Sequence, residues 1–127
     1  MTIRVINHRL LAPLTTLEVG GAAEAFVRAT SESQLIEALW FAQREQLDLT
    51  VLGGGSNSLI ADSGVSGLVV QPAIKGRTVT VRDDHVSVEV GAGELWDDLV
   101  AWSVAEGLCG IEALSGIPGW VGAAAAA

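Results

Sequence analysis

Apolar and polar residues alternate along residues 22–29 in the pattern of a β-strand. Its small and branched residues are predicted to share one face: Ala23, Ala25, Val27 and Ala29. Glu24 and Arg28 lie on the opposite face, while Phe26 interrupts the alternation. Both faces of this strand are therefore expected to be partly covered by other parts of the protein.

The residues that follow change to the period of an amphipathic helix. Ser31 and Gln34 have the spacing of a capping box, so the helix is predicted to begin near Ser31 and to fade near Asp48. Its buried face is predicted from the helical period: Leu35, Ile36, Leu39 and Trp40. A short apolar strand is predicted at 49–52. A helix between two strands favours parallel pairing and a right-handed crossover.

The second half of the chain has a stronger β character. A strand is predicted to stop at Pro72, and the valine alternations within 77–90 flank an acidic turn. This pattern predicts an antiparallel hairpin with one solvent-exposed face. An amphipathic helix is predicted over 94–107, with Gly107 as its C-terminal stop and its tryptophans in the core.

Length and composition agree with one folded domain over 1–127. The chain has 127 residues, of which 50% are hydrophobic, and this is enough to bury a core. The fold class indicated is α+β, with two small mixed α/β subdomains that divide near 72–76. The net charge of −8 argues against nucleic acid or an anionic membrane as the main partner. An anionic small molecule stays possible, because backbone N–H groups bind phosphate without lysine.

Residues that commonly serve in catalysis or metal binding are scarce. Cys109 is the one cysteine, so no intrachain disulfide can form, and its apolar neighbours predict a small core residue. His8 and His85 are far apart and match no metal-ligand spacing, so no metal is expected. The sequence shows no signal-peptide pattern and no apolar run of membrane-spanning length, which predicts a cytoplasmic protein.

The stretch VLGGGSNSLI, residues 51–60, is the strongest candidate for chemistry. Consecutive glycines allow a backbone whose N–H groups converge on one phosphate, and Ser56 and Asn57 add side-chain donors. A plain turn and a flexible linker are the alternatives. A P-loop is excluded because Lys75, the one lysine, is remote. The dinucleotide fingerprint is excluded because Ser58 stands where its third glycine belongs.

A second glycine-rich cluster lies at 115–122. Its glycines recur every three residues around a proline: Gly116, Gly119 and Gly122. Small residues at a regular step let a flat ligand lie against the main chain. Taken alone, the cluster is better explained as a tight apolar loop.

Together, the two clusters and their neighbouring segments resemble the N-terminal half of the MurB-type UDP-N-acetylenolpyruvoylglucosamine reductases. The segments that carry the resemblance occur in the same order: LTTLEVGGAAEAFV, VLGGGSNSLIAD, GAGELWDDLVAW and GLCGIEALSGIPGWVGAA. Its specific part is the pair GGGSN and SGIPGWVGAA. The resemblance implies an FAD-binding domain of the type shared with vanillyl-alcohol-oxidase-like flavoproteins, in which two α+β subdomains enclose FAD.

The resemblance also implies which residues hold FAD. The loop that binds the diphosphate corresponds to Gly53, Gly54, Gly55, Ser56, Asn57 and Ser58. The segment along the flavin corresponds to Ser115, Gly116, Ile117, Pro118, Gly119, Gly122 and Ala123. The family usually has asparagine where this chain has Thr15 or Thr16, so a local contact is expected to differ there.

The chemistry implied by the resemblance is two hydride transfers. NADPH reduces FAD, and reduced FAD then reduces the enolpyruvyl double bond of a nucleotide sugar for peptidoglycan synthesis. The serine, arginine and glutamate of such reductases correspond to positions beyond residue 127, so no catalytic residue is assigned. We therefore expect the substrate-binding domain to be absent from this chain and the chain alone to be inactive. The alternatives are another FAD-dependent oxidase or dehydrogenase and a non-catalytic binding module.

Overall fold

The structure, a computed structural model, describes residues 2–124 and contains six short strands and three helices in that part of the chain. The strands are β1 (Ile6–Leu10), β2 (Ala22–Ala29), β3 (Leu49–Val51), β4 (Val65–Pro72), β5 (Arg77–Val81) and β6 (Val86–Val90). The helices are α1 (Glu32–Arg44), α2 (Trp96–Ala105) and α3 (Val121–Ala124), with 3-10 turns at Ala12–Leu14 and Glu112–Leu114. The predicted α+β class is confirmed. Residue 1 and residues 125–127 of the predicted domain lie outside the described residues.

A four-stranded sheet in the order β1-β2-β4-β3 forms the centre of the protein. β2 pairs antiparallel with β1 and parallel with β4, and β3 pairs parallel with β4. The prediction that the strands before and after the first helix run parallel is confirmed. They are not neighbours, however, because β4 lies between them.

Both faces of the sheet are covered, as the interrupted alternation of β2 predicts. On one face, Ala25 and Val27 pack with Leu68 and the alanines of α1, and on the other Ala23 and Phe26 pack with Val69. The prediction that Ala23 shares a face with Ala25 is wrong. The pairing register of β2 with β4 shifts between these two residues, so Ala23 packs in the second cluster.

The predicted capping box starts α1. The Ser31 hydroxyl accepts a hydrogen bond from the Gln34 N–H at 3.2 Å, and Gln34 Oε1 accepts one from the Thr30 N–H at 2.9 Å. The return bond therefore reaches one residue further back than the usual box. These contacts satisfy backbone donors that the first helical turn leaves unpaired.

The predicted buried face of α1 is wrong in three of its four residues. Ala38 and Ala42 face the sheet, with Leu35 packed beside them. The exposed residues include the largest of the predicted set: Ile36, Leu39 and Trp40, the last with 65% of its surface exposed. Apolar residues surround this helix, so periodicity alone does not select a face. Alanine allows the closer approach of helix to sheet, which decides the packing.

The predicted hairpin is formed by β5 and β6, which pair antiparallel from Arg77 with Val90 to Val81 with Val86. Every residue of β5 is exposed, whereas the valines of β6 are half-buried next to α2. The prediction that Gly107 stops the second helix is confirmed, since α2 ends at Ala105 and Gly107 has φ +73°.

Two expectations for the region around α2 need correction. Trp96 and Trp102 are half-buried rather than fully in the core, because a two-stranded hairpin and the short segment around Leu114 cover their helix only in part. Cys109 is exposed rather than buried, since it lies in the loop after α2 and not within an element. The predicted subdomain boundary near 72–76 coincides with the passage from β4 to the hairpin and stays a prediction.

Candidate functional site

The glycine triplet lies directly after β3, at the edge where the parallel strands end. A cavity of about 460 Å³ opens there, and it is lined by Val51, Gly53, Gly54, Gly55, Ser56, Asn57, Ser58, Pro118 and Ala123. In sheets with parallel strands, ligands bind at the carboxyl ends of the strands, where loops can diverge and leave a crevice. The fold therefore places the predicted loop where a ligand site is expected.

The backbone amides of the glycine loop lack acceptors within the part of the chain that the structure describes. Between residues 2 and 124, the N–H groups of residues 53–57 donate to no protein acceptor. Unpaired backbone donors in succession are costly when buried, and they are satisfied by water or by a ligand. An anion is the ligand that such a group of donors binds best.

Two carbonyl groups of the loop are fixed by the surrounding structure. The Gly53 carbonyl accepts a hydrogen bond from Gln71 Nε2 at 3.0 Å, and the Gly55 carbonyl accepts one from the Thr16 N–H at 3.1 Å. The described peptide bonds are all trans, so each carbonyl points opposite to the next residue's N–H. The N–H groups of Gly54 and Ser56 consequently point away from these two anchors.

Close packing requires glycine at two positions of the loop. Gly55 has φ +75°, and a Cβ there would collide with the Leu14 carbonyl oxygen. A Cβ on Gly54 would lie 2.9 Å from the indole ring of Trp120. Glycine is thus needed for contacts with the protein as well as for any contact with a ligand.

The second glycine cluster reaches this cavity with only part of its length. Pro118 and Ala123 line the cavity, and the Ser56 hydroxyl donates to the Pro118 carbonyl at 3.4 Å. A Cβ on Gly119 would lie 2.6 Å from Ser56 Oγ, and one on Gly122 would lie 2.8 Å from the Ala92 Cβ. The two predicted clusters therefore meet at Ser56.

The beginning of the second cluster lies elsewhere. The Gly116 N–H donates to Asp97 Oδ1 at 2.8 Å, and the Ser115 hydroxyl donates to the same atom at 3.3 Å. Neither residue lines the glycine-loop cavity, and Ile117 does not line it either. Ser115 and Gly116 are thus bonded to α2 in the present arrangement.

Sequence reasoning missed Trp120, which lies behind the glycine loop. The Arg28 guanidinium and the Lys75 ammonium each lie 5.9 Å from the centre of its indole ring. Lys75 Nζ also donates to the Gly93 carbonyl at 2.6 Å. Two cations are thus held next to the loop in an otherwise acidic protein, and an anionic ligand would benefit from their field.

A second cavity adjoins the glycine loop on another side. It measures about 360 Å³ and shares Val51, Asn57 and Ser58 with the first cavity. Its other lining residues are mostly apolar and include Leu52, Leu59, Ile60 and Val69. A group of backbone N–H donors beside a second cavity suits a ligand that joins an anionic group to a flat ring.

The site is built for binding rather than for proton transfer. No side chain that lines the glycine-loop cavity titrates near neutral pH. The residues whose pKa values are shifted lie outside it: hydrogen bonds from Thr2 lower the pKa of Glu37, and the Gly110 N–H lowers that of Glu112. Within the described chain no cluster of His, Cys, Asp or Glu could hold a metal ion. None of the helices between residues 2 and 124 is long and apolar enough to cross a membrane.

Known proteins resemble this chain in family, sequence and structure. A family model described as FAD binding domain matches residues 23–127. The UDP-N-acetylenolpyruvoylglucosamine reductase of Thermobifida fusca is 46% identical over 124 residues, which are 97% of this chain and 35% of that protein. The enzyme of the same name from Pseudomonas aeruginosa is 43% identical over 126 residues, which are 98% of this chain and 37% of that protein.

A solved structure gives the same result. The UDP-N-acetylenolpyruvylglucosamine reductase of Thermus caldophilus superposes with a TM-score of 0.68 and 33% identity, covering 96% of this chain and 40% of that chain. The chain thus spans about a third of the length of the curated relatives it matches, 35% in the first case. The shared region is the part that contains both glycine clusters.

Proposed function

This chain belongs to the FAD-binding domain family, and on that premise we propose that it is the FAD-binding part of a UDP-N-acetylenolpyruvoylglucosamine reductase. The complete protein would use NADPH to reduce the enolpyruvyl group of a nucleotide sugar in peptidoglycan precursor synthesis. We further propose a cytoplasmic location and neither nucleic acid nor membrane as a partner, as the negative charge and the soluble substrate favour.

One observation carries the proposal. Residues 53–57 line a cavity with N–H groups that have no protein acceptor among residues 2–124, and protein donors hold the carbonyls of Gly53 and Gly55. A diphosphate is the anionic centre of FAD, and such a cradle can bind it without any cation in direct contact. The adjoining cavity, most of whose lining residues are apolar, offers room for one of the flat rings.

The residues present fit FAD in a binding role. The glycine loop would hold the diphosphate and Asn57 would add an amide donor. The Ser56 hydroxyl would add a donor on leaving its long 3.4 Å bond to the Pro118 carbonyl, and Pro118 and Ala123 would exclude water from one side. FAD supplies hydride-transfer chemistry when bound. No titratable group lines the cavity, so the proton needed at the substrate must come from outside this site.

FAD titration of the 127-residue chain tests the proposal. We expect binding with quenching of the flavin fluorescence and an absorbance band at about 450 nm. Asn57→Asp places a carboxylate in the cradle and should weaken FAD binding by about ten-fold or more, because like charges repel. Asn7→Asp adds the same charge on exposed β1, away from the cavity, and should leave the affinity unchanged.

Two outcomes would contradict the proposal. One is a chain that folds but takes up no FAD at micromolar concentrations. The other is an Asn57→Asp variant that binds FAD as tightly as the unaltered chain, since the diphosphate then lies away from the loop.

A further inference from the structure

Gln71 is a polar residue in an otherwise apolar stretch of β4. It follows Leu68, Val69 and Val70, which are all buried, and only 2% of its own surface is exposed. A buried amide side chain is costly unless its donors and acceptor are paired. The position therefore calls for an explanation beyond packing.

The partners of Gln71 join the sheet to the glycine loop. Its Nε2 donates to the Gly53 carbonyl at 3.0 Å. Its Oε1 accepts from Arg28 Nη1 at 3.4 Å, and Arg28 is its direct neighbour across the β2–β4 pair. By engaging Oε1, Arg28 keeps the donating end of the amide turned toward Gly53.

This contact sets the direction of one N–H group. The Gly53 carbonyl points toward Gln71, inside the sheet, so the Gly54 N–H of the same trans peptide points the opposite way. We propose that Gln71 is a positioning residue for diphosphate binding, which acts by holding the Gly53–Gly54 peptide with its N–H toward the cavity. The identity of the ligand rests on the proposed function, whereas the direction of the N–H does not.

The Ser56 N–H of the same loop serves as an internal control for the Gly54 N–H. The Gly55 carbonyl is held by the Thr16 N–H, a backbone group that does not involve Gln71. The Ser56 N–H is therefore oriented independently of β4. Loss of the Gln71 side chain should free the Gly54 N–H while leaving the Ser56 N–H in place.

The first test compares ligands with and without the diphosphate. Gln71→Met keeps the length of the side chain but removes its donors, so FAD should bind about ten-fold more weakly. Riboflavin, which lacks the diphosphate, should bind as it does to the unaltered chain. The matched control is Gln34→Met, which removes a glutamine hydrogen bond at the start of α1 and should change neither affinity.

Equal losses for FAD and riboflavin would overturn the proposal, because they would show a general effect of a damaged fold. An unchanged FAD affinity would overturn it as well. If Gln71→Met fails to fold, Arg28→Lys at an exposed position takes its place, because it keeps the positive charge near the loop but shortens the reach to Gln71 Oε1. That variant leaves Gln71 free to rotate and should weaken FAD, but not riboflavin, by about three-fold.

The second test needs no flavin and so separates this inference from the proposed function. In the nitrogen-15-labelled chain, added inorganic pyrophosphate should shift the amide signals of both Gly54 and Ser56. In Gln71→Met the Gly54 shift should be lost while the Ser56 shift persists. A Gly54 signal that does not respond in the unaltered chain, or equal responses of both residues in the variant, would refute the role of Gln71. A chain that binds pyrophosphate in this way but not FAD would refute the proposed function alone.

Discussion

The half of the molecule formed by β1–β4 and α1 is packed on both sides, whereas the half formed by β5, β6 and α2 is thin. Both buried clusters belong to the first half, which we call the sheet half. In the second, the hairpin half, β5 is exposed throughout, and Val81 has 77% of its surface exposed. A two-stranded hairpin contributes little stability on its own. The sheet half is therefore the rigid support of the site.

The two halves hold different parts of the candidate site. The glycine loop is anchored to the sheet half through Gln71 and Thr16. The end of the second cluster is bonded to the hairpin half, since the Trp96 N–H donates to the Gly119 carbonyl and the Gly122 N–H to the Ala92 carbonyl, both at 3.0 Å. A ligand in the cavity between them would stabilise both halves by mass action.

The largest expected effect compares one substitution in the two halves. Leu68→Ala empties a fully buried position in β4 and should lower the free energy of unfolding by about 3 kcal/mol. Leu99→Ala, at a half-buried position of α2, should lower it by about 1 kcal/mol. Urea denaturation measures both. Equal decreases in the free energy of unfolding would show that the hairpin half is packed as firmly as the sheet half.

A second comparison uses two glycines with nearly the same backbone angle. Gly55 has φ +75° against the Leu14 carbonyl, while Gly107 has φ +73° and open space where a Cβ would lie. Gly55→Ala should lower the free energy of unfolding by about 2 kcal/mol and abolish FAD binding, because strain and collision add. Gly107→Ala should cost about 1 kcal/mol and leave FAD binding intact. A larger loss of stability for Gly107→Ala than for Gly55→Ala would mean that the glycine loop can move away from the Leu14 carbonyl at little cost in free energy.

A smaller effect concerns the contact between the hairpin and α2. The Arg77 guanidinium lies 4.0 Å from the centre of the Trp102 ring, so Arg77→Met should lower the free energy of unfolding by about 0.5 kcal/mol. Arg82→Met removes the same charge at the hairpin turn, where no ring contact is found among the described residues, and should have no measurable effect. Thermal denaturation at matched ionic strength distinguishes the two variants. A similar change in both would assign the effect to net charge.

The smallest expected effect is a pH dependence within the loop that follows α2. The Gly110 N–H donates to the Glu112 carboxylate and lowers its pKa below the ordinary value of about 4.3. The contact is therefore complete above that value and is lost as the pH falls through the lowered pKa. The Gly110 amide signal should move over this acidic range and should stay constant in Glu112→Gln. A transition above the ordinary glutamate value would contradict the assigned direction.

Sequence patterns predicted the elements better than their faces. The capping box at Ser31, the valine hairpin and the stop at Gly107 are local signals, and each lies at its predicted position. The buried face of α1 is not a local property. The helix carries apolar residues on several sides, and only its distance from the sheet favours Ala38 over Trp40.

The candidate site likewise combines features that local sequence indicates with features that depend on tertiary contacts. The glycine loop was recognisable because successive glycines indicate a backbone with φ/ψ angles that other residues rarely adopt. Gln71 and Trp120 were missed because nothing in their immediate neighbours marks them. Gln71 lies in an apolar strand, and its role depends on Gly53, which is distant in sequence.

The sequence by itself determined the fold class, most element boundaries and the two glycine clusters, because capping, turn geometry and alternation act between near neighbours. Only the tertiary structure decided which end of the second cluster meets the loop, and which carbonyls are held so that their neighbouring N–H groups stay free. Those contacts join residues far apart in the chain, such as Gly55 with Thr16 and Ser56 with Pro118. Their geometry follows from how the sheet brings loops together, which no local pattern encodes.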